Sequence, residues 1–287
     1  SPEQRDQMMD FIPVEFNNIS MDDSGFIFAV SASTAEDNPI KRLNLSGDDI
    51  LVRSGYVDVM GDVLFKITPD PNDASKKVED RSVLVDICSS SNGNYFVLDS
   101  KKGRIFTYNR EGYLLYAFGT KGTQIGTFQN PCAIEVRGEN LLVLDQVAGS
   151  ITIFNKTKYA KQITKAEDDY YSGRYEESME GWNEVLRTNA FFEFAYQQQG
   201  KIYLHQGDDE MAMKCFELGN YRGDKITFMT GYNKAFTEFR KDFMSQYLGV
   251  MVIGGVGLWL LLYLLHRWRK KRKGKKAARP TGGEDRS

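Results

Sequence analysis

The chain has few of the residues that build metal centres and disulfide frameworks. Its 287 residues include three cysteines and two histidines. Cys88, Cys132 and Cys215 form no Cys-x-x-Cys pair and are odd in number, so they read as small apolar side chains, not as a bridge set. His205 and His266 lie far apart in sequence and cannot make a zinc site by themselves. The sequence has no glycine-rich phosphate loop, no nucleophile elbow and no metal-ligand spacing. No catalytic residue, metal ligand or cofactor is therefore assigned.

One feature is abundant: apolar length near the C-terminus. Residues 247–265 form a run of 19 without a charge. As a helix the run is about 28 Å long, the thickness of a bilayer's hydrocarbon. His266 to Arg279 follows, with nine Lys or Arg in 14 residues, a cluster that marks the cytoplasmic side. Residues 266–287 carry 10 basic and 2 acidic residues, leaving 27 basic against 37 acidic ahead of them. The part before the span is thus acidic, which argues against a nucleic-acid partner. The basic tail suits anionic lipid. Leu248, Trp259 and Leu265, with Arg267 and Arg269 just beyond, are the expected membrane anchor. The expectation is a single-pass protein of the cell membrane, its N-terminal domains extracytoplasmic and its tail cytoplasmic. An exported domain needs a secretory signal, and the sequence opens Ser-Pro-Glu-Gln without one, so the chain reads as the C-terminal fragment of a longer protein.

From about 12 to 163 the pattern is β. Gly25-Phe-Ile-Phe-Ala-Val-Ser31, Gly93-Asn-Tyr-Phe-Val-Leu-Asp99 and Gly138-Glu-Asn-Leu-Leu-Val-Leu-Asp145 each give a turn and then a strand ending in Ser or Asp. A second strand follows each, at 40–45, 104–108 and 150–154. Asp99 and Asp145 are 46 residues apart, whereas Ser31 and Asp99 are 68 apart, so a polar insertion is expected at roughly 61–80. A period of about 40–50 residues with about four strands per unit indicates propeller blades.

Val97-Leu98-Asp99, Arg104-Ile105, Glu111-Gly112, Phe118-Gly119, Gly126-Thr127-Phe128 and Pro131 resemble an NHL repeat, well over 83–154 and more weakly over 12–52. The resemblance implies a propeller of about six blades, of which about three are countable here. From Ala166 the pattern turns helical. Gly173 and Gly207 are 34 residues apart, as are Trp182 and Phe216. This spacing, with Ala195, Gly200 and Ala212 as small packing residues, resembles the tetratricopeptide repeat. Two copies are too few to stand alone, so the module is expected to lean on the propeller or on the next helix. Met229, Tyr232, Phe236, Phe239, Phe243 and Tyr247 then mark one apolar helical face running into the span.

The expected fold is therefore multidomain, β followed by α. A partial NHL-type propeller occupies 1–163 and tetratricopeptide hairpins 164–224. A capping helix at 225–246, a transmembrane helix at 247–265 and a basic tail at 266–287 complete it. By the tetratricopeptide resemblance, Gln197, Lys201 and His205 would face a ligand. The aromatic residues around them would line that groove or fill the interhelical core. Asp99 and Asp145 read as caps of a turn at equivalent places in two blades, in preference to acids converging on a channel metal. The function these features imply is a non-enzymatic scaffold or recognition protein, bacterial by resemblance. It would bind a protein or peptide partner or a glycan, with membrane lipid held through the single span. The alternatives are a lactonase-like or glycan-modifying, metal-dependent hydrolase and an accessory sensor of a transporter.

Overall fold

The structure is a computed structural model that describes residues 15–33, 38–53, 67–70, 73–79, 81–219 and 225–277. Strands β1 (Phe16–Met21), β2 (Ile27–Ser31) and β3 (Ile40–Leu43) pair in that order as an antiparallel sheet. A hairpin of β4 (Ile67–Asp70) and β5 (Asp73–Glu79) follows, within the polar stretch expected to be an insertion. Four strands then form the second large sheet: β6 (Leu84–Ser89), β7 (Tyr95–Asp99), β8 (Arg104–Tyr108) and β9 (Leu114–Phe118). The third is β10 (Pro131–Arg137), β11 (Asn140–Asp145) and β12 (Ser150–Asn155). Each large sheet is an up-and-down meander of consecutive strands, the connectivity of a propeller blade.

Local chemistry explains the meanders. Asn109 shows how a turn is made. Its Oδ1 accepts the N–H of Glu111 at 3.0 Å and of Tyr113 at 2.8 Å, while Gly112 N–H donates to the Asn109 carbonyl at 3.0 Å. Gly112 sits at φ +82°, and a Cβ there would come 2.3 Å from the Val52 carbonyl oxygen, so both shape and space demand glycine. Asp22 and Asn44 open similar turns with Oδ1 accepting from Phe26 at 3.0 Å and Asp48 at 2.9 Å.

The repeat extends to irregularities. The first strand of every large sheet has a register shift at the same place, between Phe16 and Asn18, Leu84 and Asp86, and Pro131 and Ala133. The partners across the shift are Ser31, Asp99 and Asp145, the strand-end residues of the sequence repeat. These first strands lie side by side, β1 next to β6 and β6 next to β10. Asp86, at the position equivalent to Asn18 and Ala133 in the other two first strands, joins two sheets: its Oδ2 accepts the N–H of Ile134 at 2.6 Å. Burial pushes the Asp86 carboxyl above its ordinary range, although this N–H and that of Ile87 oppose the shift. Phe28, Ile87, Tyr95 and Tyr108 fill the core between the first two sheets; Phe96, Ile105, Phe128 and Val143 fill that between the second and third.

Helices follow without a long linker. α1 (Lys158–Tyr171) begins just after β12, earlier than the pattern from Ala166 suggests, because Thr157 Oγ1 caps it by accepting the Ala160 N–H at 3.2 Å. α2 (Tyr175–Thr188), α3 (Glu193–Gln206) and α4 (Asp209–Leu218) complete two antiparallel hairpins. Glycine sets their approach. A Cβ on Gly181 would lie 2.8 Å from the Ala166 Cβ, and one on Gly200 3.0 Å from the Phe216 ring. Gly207 ends α3 in the left-handed region at φ +77°.

The chain divides into two compact units, residues 1–232 and 233–287. α5 (Lys225–Ala277) is one helix of 53 residues, about 80 Å long. The expected boundaries at 246 and 265 fall inside it, so the residues read as capping helix, span and first part of the basic tail belong to one helix. Along it Phe239, Phe243 and Tyr247 form a ladder of rings, with centroids 6.4 and 4.9 Å apart. Thr230–Arg269 is long and apolar enough to cross a membrane, and none of its apolar window is buried. Residues 278–287 lie outside the described residues.

Candidate functional site

Polar groups in the first unit concentrate where α1 and α3 meet the β6–β9 sheet. α1 carries Ile163, Ala166 and Tyr170 on one face, a stripe at helical spacing that packs into the buried cluster shared with Tyr113 and Leu115 of the sheet and with the other helices. Glu167 falls inside that stripe. It is 3% exposed, and its carboxylate accepts Asn94 Nδ2 at 3.2 Å on one oxygen and Asn109 Nδ2 at 3.0 Å on the other. Asn94 and Asn109 belong to the two turns at one end of the sheet. Burial pushes the Glu167 carboxyl up to about 7, against the two amide donors that favour its charge.

One turn further along, Glu111 receives two donors from two helices. Tyr171 Oη donates to Oε1 at 2.7 Å, and Lys201 Nζ to Oε2 at 2.6 Å. The Arg110 guanidinium lies 3.9 Å from the Tyr171 ring centre and donates to the Asn92 carbonyl. Burial, then the neighbouring Glu111, push the Tyr171 hydroxyl well up, so it stays a donor. Around this lattice Tyr113 and Leu115 of the sheet share a buried cluster with Ile163, Trp182, Val185 and Phe194 of the helices. The Tyr113 and Phe194 rings are 4.7 Å apart. The site is adhesive in character: its carboxylates are occupied by donors from the opposite layer.

The three residues read as ligand-facing occupy different surroundings. Gln197 is 3% exposed and donates to the Gly219 carbonyl at 3.0 Å, within the α3–α4 packing. Lys201 is the half-buried partner of Glu111. His205 is exposed and stacks on Tyr175, centroids 4.8 Å apart. Leu248, Trp259 and Leu265 are 50%, 64% and 43% exposed on α5, ahead of Arg267 and Arg269 on the same helix. Of the aromatics, Trp182 and Phe194 are buried, whereas Phe191 is exposed.

Asp99 and Asp145 are turn caps in this geometry. Asp99 Oδ1 accepts the N–H groups of Val83, Lys101 and Lys102 at 3.1, 2.8 and 3.2 Å. Asp145 uses both oxygens, accepting Gln129 at 2.6 Å and Asn130, Val147 and Ala148 each at 3.0 Å. Burial raises the Asp145 carboxyl, but these four donors outweigh it and hold it below the usual range. Among the described residues no group of three or more His, Cys, Asp or Glu is placed to hold a metal ion. Glu167 and Asp86 were not singled out in the sequence, and Glu111 entered only as part of the Glu111-Gly112 turn, not as a partner of the helices. Glu167 had a signal, a lone acid inside the apolar stripe Ile163-Ala166-Tyr170. Asp86 had none beyond being an acid in a strand.

No protein-family model matches the chain, and no curated protein does. Among solved structures it is similar to a protein of unknown function from Bacteroides caccae, at 12% identity over 51% of this chain and 47% of that one, with a TM-score of 0.31. It is also similar to a catalytically inactive virginiamycin B lyase from Staphylococcus aureus, at 15% identity over 50% of this chain and 56% of that one, with a TM-score of 0.22. A chain from a nidogen/laminin complex matches at 14% identity over 48% of this chain and 74% of that one, with a TM-score of 0.20. The chain thus spans about half the length of the first two. Similarity at these TM-scores supports no inference about activity.

Proposed function

We propose that this protein is a single-pass membrane scaffold or recognition protein that acts without catalysing a reaction. Its NHL-type propeller part, 1–163, and its tetratricopeptide-like hairpins, 164–224, stand outside the cytoplasm and bind a protein or peptide partner, or a glycan. The tail from 266 is cytoplasmic, and the source is a bacterium. The observation that carries the reading is the exposed apolar stretch of α5. A bilayer covers such a surface, and the Lys/Arg block after it favours the inner leaflet side. The adhesive junction supports the binding role, because it makes sheets and helices one platform. The NHL and tetratricopeptide assignments rest on the residue resemblances, and His205, exposed beside Tyr175, is the ligand-facing candidate most open to solvent. Protease added to intact cells is expected to remove residues before 247 and leave the tail protected. Protection of the N-terminal unit instead would reverse the topology. Calorimetric titration of the full chain with calcium, magnesium and zinc is expected to show no site in the micromolar range, and a tight site would favour the hydrolase.

A further inference from the structure

A cavity of about 270 Å³ lies between the β6–β9 sheet, the β10–β12 sheet and the start of α1. It borders the helix–sheet junction, since Tyr116 and Tyr159 also pack against that buried cluster, and none of Gln197, Lys201 and His205 lines it. Its walls are mainly apolar and aromatic: Phe96, Tyr116, Phe118, Leu141, Phe154 and Tyr159. Phe118 and Phe154 meet edge to face, centroids 5.3 Å apart, which fixes the slot's shape. The space is larger than the roughly 150 Å³ of an apolar cavity that takes up benzene, enough for a fused-ring or short acyl body. Few polar groups line such walls, so water gains little there and an apolar occupant gains much.

The rim differs from the walls. Lys156 and Glu139 line the cavity, and half-buried Lys156 also borders a shallow groove with Lys158, Lys161 and Lys165. Lys165 is paired with Asp169 at 2.6 Å, and Lys161 lies 3.6 Å from Glu139. Burial raises the Asp168 carboxyl, and Asn92 and then the nearby Lys156 oppose that shift without cancelling it. Lys158 makes no ion pair among the described residues. The placement of these lysines works against the fold. The first turn of α1 contains no acid, and Lys158 and Lys161 put positive charge at the positive end of the helix dipole. Acidic side chains are the favoured ones at a helix start. Positive charge there instead, beside an apolar slot in an otherwise acidic unit, matches a ligand with two parts.

We infer that this cavity binds a small amphiphilic anion, its apolar body in the aromatic slot and its carboxylate, sulfonate or phosphate head against Lys156 and the α1 lysines. Such a ligand can come from a free acid or from a phospholipid headgroup with its first acyl carbons. The inference does not depend on the scaffold reading, since it concerns a different surface.

The test uses the full chain in phosphatidylcholine nanodiscs with 2-naphthoate as probe, followed by isothermal calorimetry and by saturation-transfer NMR. Saturable binding is expected, with Lys156→Glu weakening it about tenfold by charge reversal at short range. The neutral 2-naphthalenemethanol is expected to bind more weakly than naphthoate, and naphthylmethylammonium more weakly still. Ala117→Leu, at the exposed mouth, narrows entry without touching the core, and Ala160→Leu fills the slot; each is expected to abolish binding while the near-UV circular dichroism persists. Monomeric dihexanoyl phosphatidylglycerol separates the sources. Displacement of naphthoate by this lipid at lower concentration assigns the site to a headgroup, and failure to displace it assigns the site to a free acid. Absence of saturable naphthoate binding at millimolar probe, equal binding of the neutral alcohol, or binding unchanged in both Lys156→Glu and Ala117→Leu would each overturn the inference.

Discussion

The β6–β9 and β10–β12 sheets share a register shift, an acidic strand end and the same turn chemistry, yet differ in surroundings. On the first, Tyr113 and Leu115 are 1% and 4% exposed beneath the helices. On the second, Leu144, Val147, Ile151 and Ile153 are 41% to 64% exposed. The repeat therefore dictates backbone and caps, while the side chains record what each sheet packs against. Helices are docked on one sheet by a layer of apolar residues with two carboxylates set into it. The other keeps an apolar face open in the described structure, a surface that monomeric proteins rarely leave large.

The largest expected effect breaks the covered side. Trp182 is fully buried against Phe194, centroids 5.5 Å apart. Trp182→Ala is expected to cost about 3–5 kcal/mol in denaturant melts, the range for a large core truncation. A cost below about 1 kcal/mol would mean that the helices are not held through this cluster.

The second prediction concerns pH. The Glu167 carboxyl rises from 4.5 to about 7 on folding, so the folded state holds the proton longer than the unfolded chain. Its contribution is full below about pH 4.5 and is lost as pH rises through 7. The stability change over that window is expected to be about 3 kcal/mol. Glu167→Gln is expected to flatten the pH dependence between those limits, measured by thermal melts at fixed ionic strength. An unchanged slope would place the titrating group elsewhere.

The third compares the two sheets directly. Asp145 accepts four N–H groups through two oxygens; Asp99 accepts three through one, and its Oδ2 is buried with no hydrogen-bond partner among the described residues. Each Asp→Ala is expected to cost about 1–2 kcal/mol, with Asp145 the larger, because more donors lose their acceptor. For Asp145 the depressed carboxyl adds a sign: its contribution is present above pH 3.8 and is lost as pH falls further.

The smallest effect sharpens the open side. Ile153→Thr is expected to change stability by no more than about 0.5 kcal/mol, as for an exposed position. A cost above about 1 kcal/mol would show that this face is covered in the working protein.

Much of the architecture was legible because repeats report themselves. Asp99 and Asp145, 46 residues apart, gave the meanders and their turns, and Gly173 and Gly207, 34 apart, gave the two hairpins. The apolar run and basic block gave the long C-terminal helix. The junction was much less legible, because it is made by residues distant in sequence. Glu111 and Lys201 are 90 residues apart, and Glu167 and Asn94 are 73. No local pattern encodes such pairs; the exception is a lone acid inside an apolar stripe. The start of α1 was misplaced by eight residues because Thr157 caps a first turn, Lys158-Tyr159-Ala160-Lys161, that holds lysines and no acid, where acids are the usual signal.

The unbroken backbone of α5 has a mechanical consequence. Over 53 residues an α-helix completes about 15 turns, each residue adding about 100°. Inserting or deleting one residue therefore rotates the helical residues beyond it by about 100°. A series of such insertions near residue 246 should produce a phase-dependent readout of period about 3.6 in any signal that passes along this helix.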